Sequence, residues 1–516
     1  MSNYSTHEDS STDAMPVSAI VLPPHARRRV FIGLLLAMFL GALDQSIVGT
    51  ALPIITTELG GLNHLTWVVT SFMLTSTISA PIYGKLSDMY GRRPLFAFSV
   101  ILFIAASMLC GAAHSMQSLI ASRALQGLAA GGLMMLTQAS IASIVPPDQR
   151  ARYQGIFTGT FAMSSVVGPL LGGLLTTHLT WRAIFFINLP LGVVSLVLVL
   201  ASMPNIARRT SHAIDYAGAA LITVGTSALL LFFNAPVASS HVAGLPRVAL
   251  LPVTLLAFIL LLFVERRARE PIINLDLFRI TPYWICVSAS GVMAFAMMGA
   301  LVFLPLYFQL VLHQTPTESG AMILPQVAMM LVTAVGGGRI ASTRHRIVLV
   351  LTAGVALECC GLTLLAILAH RGAGVHAFLV AMAVLGAGMG MGMSSATVIV
   401  QNAVSEAVRG TATATMSFVR SLGATLGIAL SGGVMHYVLS QRVAALASVV
   451  HVGDLLDRGL DVVAALPASQ QLLLIDGYRN AIGACLQTGA IAMALGFCLV
   501  LSLSLVPSGR EDSTFR

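Results

Sequence analysis

Few side chains inside the apolar stretches of this chain can do chemistry, and two of them lie at similar depth. Asp44 stands fourteen residues beyond Val30, where the first long apolar run begins. That is about 21 Å along a helix rising roughly 1.5 Å per residue, in the outer half of a bilayer. Arg123 stands about five residues into a run that enters from the outer side. An ionised group alone in hydrocarbon is costly, so an intramembrane carboxylate persists by pairing, by facing water or by taking a proton. The last option makes Asp44 a site that binds and releases a proton. Arg420, about ten residues into a later run, cannot readily lose its charge and must face water, carbonyls or a carboxylate. Functional coupling and structural bracing both fit it.

The elements that position these residues follow from composition. Of 516 residues, 56% are hydrophobic and 9% are charged, with a mean hydropathy of +0.87. A soluble protein of this size cannot hide that much apolar surface. The apolar residues fall into fourteen runs, 30–52, 66–84, 95–113, 118–142, 154–177, 183–203, 215–233, 247–264, 283–311, 319–340, 347–369, 376–400, 411–438 and 482–506. Each is near the roughly 20 residues that cross about 30 Å of hydrocarbon. Little period-two alternation runs through them and unsatisfied amides are costly in lipid, so they are helices, and the fold class is all-α membrane.

Twenty of the 28 Lys and Arg fall in loops on the side of the N-terminus, six fall on the other side, and Arg123 and Arg420 lie within runs. The positive-inside rule then places both termini in the cytoplasm of an inner or plasma membrane protein. Cations spread along membrane edges account for the net charge of +8, so nucleic acid is not an expected partner. Residues 1–29 have no apolar core or cleavage site, and Val30 onward reads as a first span rather than a signal peptide. The six cysteines lie in or at apolar runs without metal-site spacing, and no Walker sequence, metal-ligand cluster or Ser-His-Asp arrangement is found. Neither metal nor cofactor nor enzyme activity is expected.

Between two runs, the eleven residues from Gly84 to Pro94 form a charged loop with the chain's only lysine, Lys85, together with Asp88, Arg92, Arg93 and the turn-forming Gly84 and Gly91. Residues 336–346 look like a degenerate copy at the equivalent place in a later half, as an internal duplication predicts. The organisation is a tail 1–29, a six-helix half 30–203, a two-helix insert 204–270, a second six-helix half 271–506 carrying an external loop 440–481, and a tail 507–516.

Further motifs accompany that loop. The first run reads Leu-Asp-Gln-Ser-Ile-Val-Gly-Thr-Ala-Leu-Pro from Leu43 to Pro53; the fourth carries Arg123, Gln126, Gly127, Gly131 and Gly132; the fifth carries Ser164, Gly168, Pro169, Gly172 and Gly173; and Trp181-Arg182 precedes Phe185, Phe186, Asn188 and Pro190. On these residues the chain resembles the major facilitator superfamily, in its fourteen-span drug:proton antiporter branch of the EmrB/QacA type. Ser46, Gly49, Thr50 and Ser164 depart from the branch pattern. The resemblance implies first and fourth spans lining one cavity, which makes a pair or shared water site between Asp44 and Arg123. Asp44 then alternates between proton-bound and substrate-facing forms while Arg123 lowers its proton affinity, or the two form a static brace. Asp88, held by Arg92 or Arg93, is expected to accept from amides near Arg409 and Gly410 in the other half as a gate, unless the loop is only a topogenic turn. Gly168, Pro169, Gly172 and Gly173 are expected to form a seam between the halves near the outer side. Glu358, on a helix that is peripheral in the family, is expected to serve packing or an interface.

Deep carboxylates are few, which favours a lipophilic monocation or a neutral compound as cargo. Gln126, Phe303, Tyr307, Gln309 and Arg420 are the cavity candidates, with Trp67, Phe72, Phe157, Phe161, Phe295, Phe308 and Asn402 as further lining. The glycine–methionine alternation from Gly386 to Met393 reads as a pliable wall or a packing face. The leading expectation is a multidrug exporter driven by protons through alternating access. A carrier for one metabolite or lipid and a non-transporting receptor or lipid-scrambling scaffold are the alternatives. Loop 440–481 either caps the last spans or contacts a periplasmic adaptor.

Overall fold

A computed structural model describes residues 23–59, 65–203, 215–234, 241–242, 245–268, 271–341, 343–442 and 467–504. The helices of the first half are α1 (Pro24–Leu59), α2 (Leu65–Tyr90), α3 (Arg92–Gly111), α4 (Met116–Ile144), α5 (Pro147–His178), and α6 (Ala183–Phe186) running into α7 (Asn188–Ser202). The insert is α8 (Tyr216–Asn234) and α9 (Leu250–Arg267), with a short hairpin of β1 (His241–Val242) and β2 (Leu245–Pro246) between them. The second half holds α10 (Thr281–Leu301), α11 (Leu304–Leu310), α12 (Pro316–Ala321), α13 (Leu324–Ile340), α14 (Arg344–Arg371), α15 (Val375–Asn402), α16 (Arg409–Arg442) and α17 (Ala468–Ser504). Three spans are thus broken into two helices, at α6–α7, α10–α11 and α12–α13.

Among the described residues thirteen spans are long and apolar enough to cross a membrane. The remaining long helix, α2, is rich in Ser and Thr, and Thr75, Ser76, Thr77 and Ser79 donate back to carbonyls of their own helix. That keeps their hydroxyls satisfied away from water, so α2 completes fourteen spans. The last helix begins at Ala468 rather than near residue 482, so part of the expected external loop is helical; residues 443–466 of that loop lie outside the described residues.

Each half closes on its own apolar core. In the first, Leu34, Phe96, Phe103, Leu133 and Leu136 are buried together, and in the second, Tyr307, Phe308, Leu351, Phe378 and Leu486. The insert packs against α2 and α16, one helix from each half, with Ile222, Leu261 and Phe418 in a small shared cluster. The glycines of the 386–393 stretch serve packing: Gly386 and Gly390 abut α13, while Gly388 and Gly392 abut α14 or α10. Gly91, with φ 86°, makes the turn from α2 into α3 in a region that favours glycine.

Candidate functional site

Arg123 and Gln126 are three residues apart on α4 and therefore share one face, which meets Asp44 on α1. The Arg123 guanidinium donates from Nη1 to Asp44 Oδ2 at 2.5 Å, while Gln126 Nε2 and Asn188 Nδ2 both donate to Asp44 Oδ1 at 2.9 Å. Arg123 Nη1 also donates to Gln126 Oε1 at 2.8 Å, and Asn188 Nδ2 to Ser107 Oγ at 2.9 Å. Asp44 and Arg123 are 0% and 1% exposed. Desolvation of such a pair is costly, and only full hydrogen bonding of both ions offsets it. Phe72 stacks on the Arg123 guanidinium, 4.1 Å from its ring centre.

At the end of the same half far from the α2–α3 turn, Glu58 of α1 accepts from Trp181 Nε1 at 2.7 Å and from Arg182 Nη1 at 2.5 Å. Arg182 first, then Trp181, holds its carboxyl below the usual carboxylate range. The staple fixes the turn into α6 and thereby the start of α7, where Asn188 reaches Asp44.

The two halves meet at the end of the bundle where α2 turns into α3; the expected loop from Gly84 to Pro94 is instead the end of α2 and the start of α3, with Gly91 alone between the helices. Asp88 Oδ1 accepts from Gly410 N at 3.1 Å, and Oδ2 accepts from Thr411 N at 2.8 Å and Thr411 Oγ1 at 3.0 Å. These amides open α16, where the dipole and unfilled N–H groups favour an anion. Burial pushes the Asp88 carboxyl above its ordinary range, against the pull of Arg92 and these donors. Arg150 Nη1 donates to Asn402 Oδ1 at 2.5 Å, Arg409 Nη1 to the Ala142 carbonyl at 3.4 Å, and Gln401 Nε2 to the Gln138 carbonyl at 3.3 Å. Arg93 Nη2 donates to Leu200 O at 2.7 Å and ties α3 to α7 within the first half.

Alongside this contact α5 lies directly on α13, with Gly155 facing the Ala334 backbone and Gly159 facing Leu331. Three helical turns beyond Gly159 the same face of α5 carries Leu170, 69% exposed, and two turns before Leu331 the facing side of α13 carries Leu324, 46% exposed. The halves are closed at the basic end and parted at the other. Replacing Gly155 by Ala should drive a Cβ into the Ala334 carbonyl and cost the closed state about 1–3 kcal/mol. The expected result is greater labelling, from the basic side, of a cysteine placed at Gln138, measured with a membrane-impermeant maleimide.

Between the halves, above the closure, lies a cavity of about 250 Å³. Eight methionines line it, with Phe72, Phe157 and Phe161, and its polar wall is Gln45, Gln138, Gln154, Thr397, Arg420 and a few hydroxyls. Phe72 thus touches the cavity on one side and Arg123 on the other.

The comparisons with known proteins bear on this arrangement directly. The sequence model of the Major Facilitator Superfamily matches residues 34–428. This chain belongs to that superfamily. The transporter is 33% identical to multidrug transporter protein MdtP of Bacillus subtilis over 80% of its own length and 75% of that protein's. It is 32% identical to the uncharacterized MFS-type transporter Rv1877 of Mycobacterium tuberculosis over 97% and 73%, and 30% identical to efflux pump dotC of Dothistroma septosporum over 96% and 86%. Its fold is similar to that of the human organic anion transporter MFSD10, with a TM-score of 0.62 at 14% identity over 93% of this chain and 100% of that one. The proton:xylose symporter XylE matches with a TM-score of 0.60 at 13% identity over 91% and 96%. The protein is a multi-pass membrane transporter of the drug-efflux branch, acting on small molecules within a bilayer.

The transporter brings some of the expected residues together and separates others. Asp44 pairs with Arg123, and Asp88 reaches Gly410 and Thr411. Of the cavity candidates Arg420 lines the cavity just described, as do Phe72, Phe157 and Phe161 of the further lining expected. Gln126 belongs to the Asp44 cluster instead, because its amide is used by both ions. Tyr307 is turned into the second core, donating to Ala369 O at 3.2 Å against Phe378, and Phe303 packs on that core; Gln309, next to them, is not part of the cavity wall. Asn402 serves the basic-end closure. Gly168 abuts Ser46 of α1, so this stretch with Pro169 and the buried Gly172 joins helices of one half, while Gly173 has open space beside it and Pro169 is exposed. Asn188 enters the sequence reading only as part of a motif, without a role, and of the methionines lining the cavity only Met393 lies in the stretch read as a pliable wall.

Proposed function

We propose that this transporter exports lipophilic small molecules in exchange for protons, alternating between the state described here and one open at the basic end. The observation that carries this reading is the position of Phe72, between the apolar cavity and the Asp44–Arg123 pair. A compound entering the cavity presses on Phe72, which stacks on the Arg123 guanidinium, and so favours the pair of Arg123 with Asp44. Asp44 beside that charge gives up its proton, so cargo and proton exclude one another. Once cargo has left, the pair loosens and Asp44 takes a proton from the side to which the cavity is then open. The soft methionine lining suits cargo of varied shape better than a single metabolite. The distribution of cations supports cytoplasmic termini, which makes the parted end the outward one.

The test is proton movement in proteoliposomes under an imposed pH gradient, on adding a panel of lipophilic cations, neutral drugs and organic acids. Release of protons triggered by a transported compound is the expected result. Transport of every compound at the same rate with and without the gradient refutes proton exchange.

A further inference from the structure

Arg420 is the charged residue of the central cavity wall, and among the described residues no carboxylate shares that wall. Its Nη2 donates to Thr397 Oγ1 at 3.3 Å, a long contact, and its Nε has no hydrogen-bond partner. Methionines and phenylalanines make up most of the rest of the wall, with Gln45, Gln138 and Gln154 as its large uncharged polar residues. A guanidinium is planar and stays charged, and its N–H groups match two oxygens side by side. A guanidinium on the wall of a mostly apolar chamber, held by one long hydrogen bond, lacks the group that would compensate its charge. A cationic cargo meets repulsion there, and no wall carboxylate offsets it.

We propose that the cavity takes amphiphilic organic anions, an apolar body against the methionine wall and a carboxylate or similar oxyanion on the Arg420 guanidinium. The assignment rests on the cavity being the transport site, and it narrows the cargo from the lipophilic monocation or neutral compound expected from sequence. It has an electrical consequence. A proton entering against an anion leaving moves two charges in the same direction, whereas a proton against a monocation moves none.

The experiment uses the full chain in nanodiscs of phosphatidylcholine, with empty discs subtracted, and three fluorescent probes that share one body: pyrenebutyrate, its neutral amide and the trimethylammonium analogue. The acid is expected to bind at least about tenfold more tightly than the ammonium compound, and Arg420→Gln to weaken the acid by about tenfold while leaving the amide within about twofold. Arg420→Lys should retain part of the preference. Equal or tighter binding of the ammonium probe to wild type overturns the assignment, and this comparison holds even if the variants fold poorly. Equal weakening of all three probes by Arg420→Gln in a well-folded protein also overturns it. Displacement of the acid by phosphatidylglycerol added to the discs keeps the anion site and gives it to a lipid. Counter-transport in proteoliposomes separates the two readings: selective, Arg420-dependent acid binding without transport refutes export and leaves the anion site, whereas proton-driven transport of the ammonium probe alone does the reverse.

Discussion

Asp44→Asn is expected to abolish cargo-triggered proton movement, lowering coupled turnover by about a hundredfold or more, the scale set by losing a positioned proton-transfer group. The amide cannot take up and release a proton near neutral pH, and it leaves Arg123 buried beside Gln126 without a counter-charge. A buried cation deprived of its partner costs about 3–5 kcal/mol, so the single variant should also unfold earlier. Stability alone therefore cannot separate proton carriage from bracing. The double variant Asp44→Asn with Arg123→Gln does separate them, because it removes both charges and leaves a neutral cluster of Gln126, Asn188 and Ser107. Its thermal unfolding should return toward wild type, with proton movement still absent. Coupling restored along with stability would assign the pair to bracing and move the proton site elsewhere.

The depth of Asp44 and Arg123 was legible in the sequence because helix rise is nearly constant, and residue number within a span converts to height. Their pairing needed the resemblance, since no local rule says which of fourteen helices are neighbours. Asn188 was illegible for a related reason: a single polar residue beside a proline at a helix start looks like a cap, and only the packing of α7 against α1 and α3 carries its amide to Asp44. The cavity wall was harder still. Aromatic residues near the outer end of the ninth span suggested a binding surface, yet Tyr307 and Phe308 are fully buried in the core of the second half, where Phe378 completes an aromatic cluster. Methionines, the commonest large residues of the actual wall, recur in most spans, and nothing in their spacing says which face will look inward. The loop from Gly84 was the most legible site. Gly91 makes the turn into α3, Gly84 within α2 lets Ala414 of α16 come close, and Asp88 meets a helix N-terminus, that of α16.

Asp88→Asn should open the basic end, and the reason is a mismatch of donors. Three groups, Gly410 N, Thr411 N and Thr411 Oγ1, point hydrogens or a hydroxyl at the two carboxylate oxygens. Asparagine keeps one acceptor and turns an NH2 toward an amide that can only donate. Losing charge-assisted bonds of this kind costs about 1.5–3 kcal/mol, a shift of about ten- to a hundredfold toward the state open at this end. Labelling of a cysteine at Gln138 from the basic side should rise by that factor, and turnover should fall because resetting to the state parted at the other end becomes slow. Thr411→Val removes only the hydroxyl contact and should have a small effect in the same direction, since both backbone donors remain. Cargo bound by the closed state should keep its affinity, because Asp88 does not line the cavity. If instead Asp88→Asn lowers the amount of folded protein while accessibility and turnover per folded molecule stay unchanged, the loop is a turn that sets topology and the gate lies elsewhere.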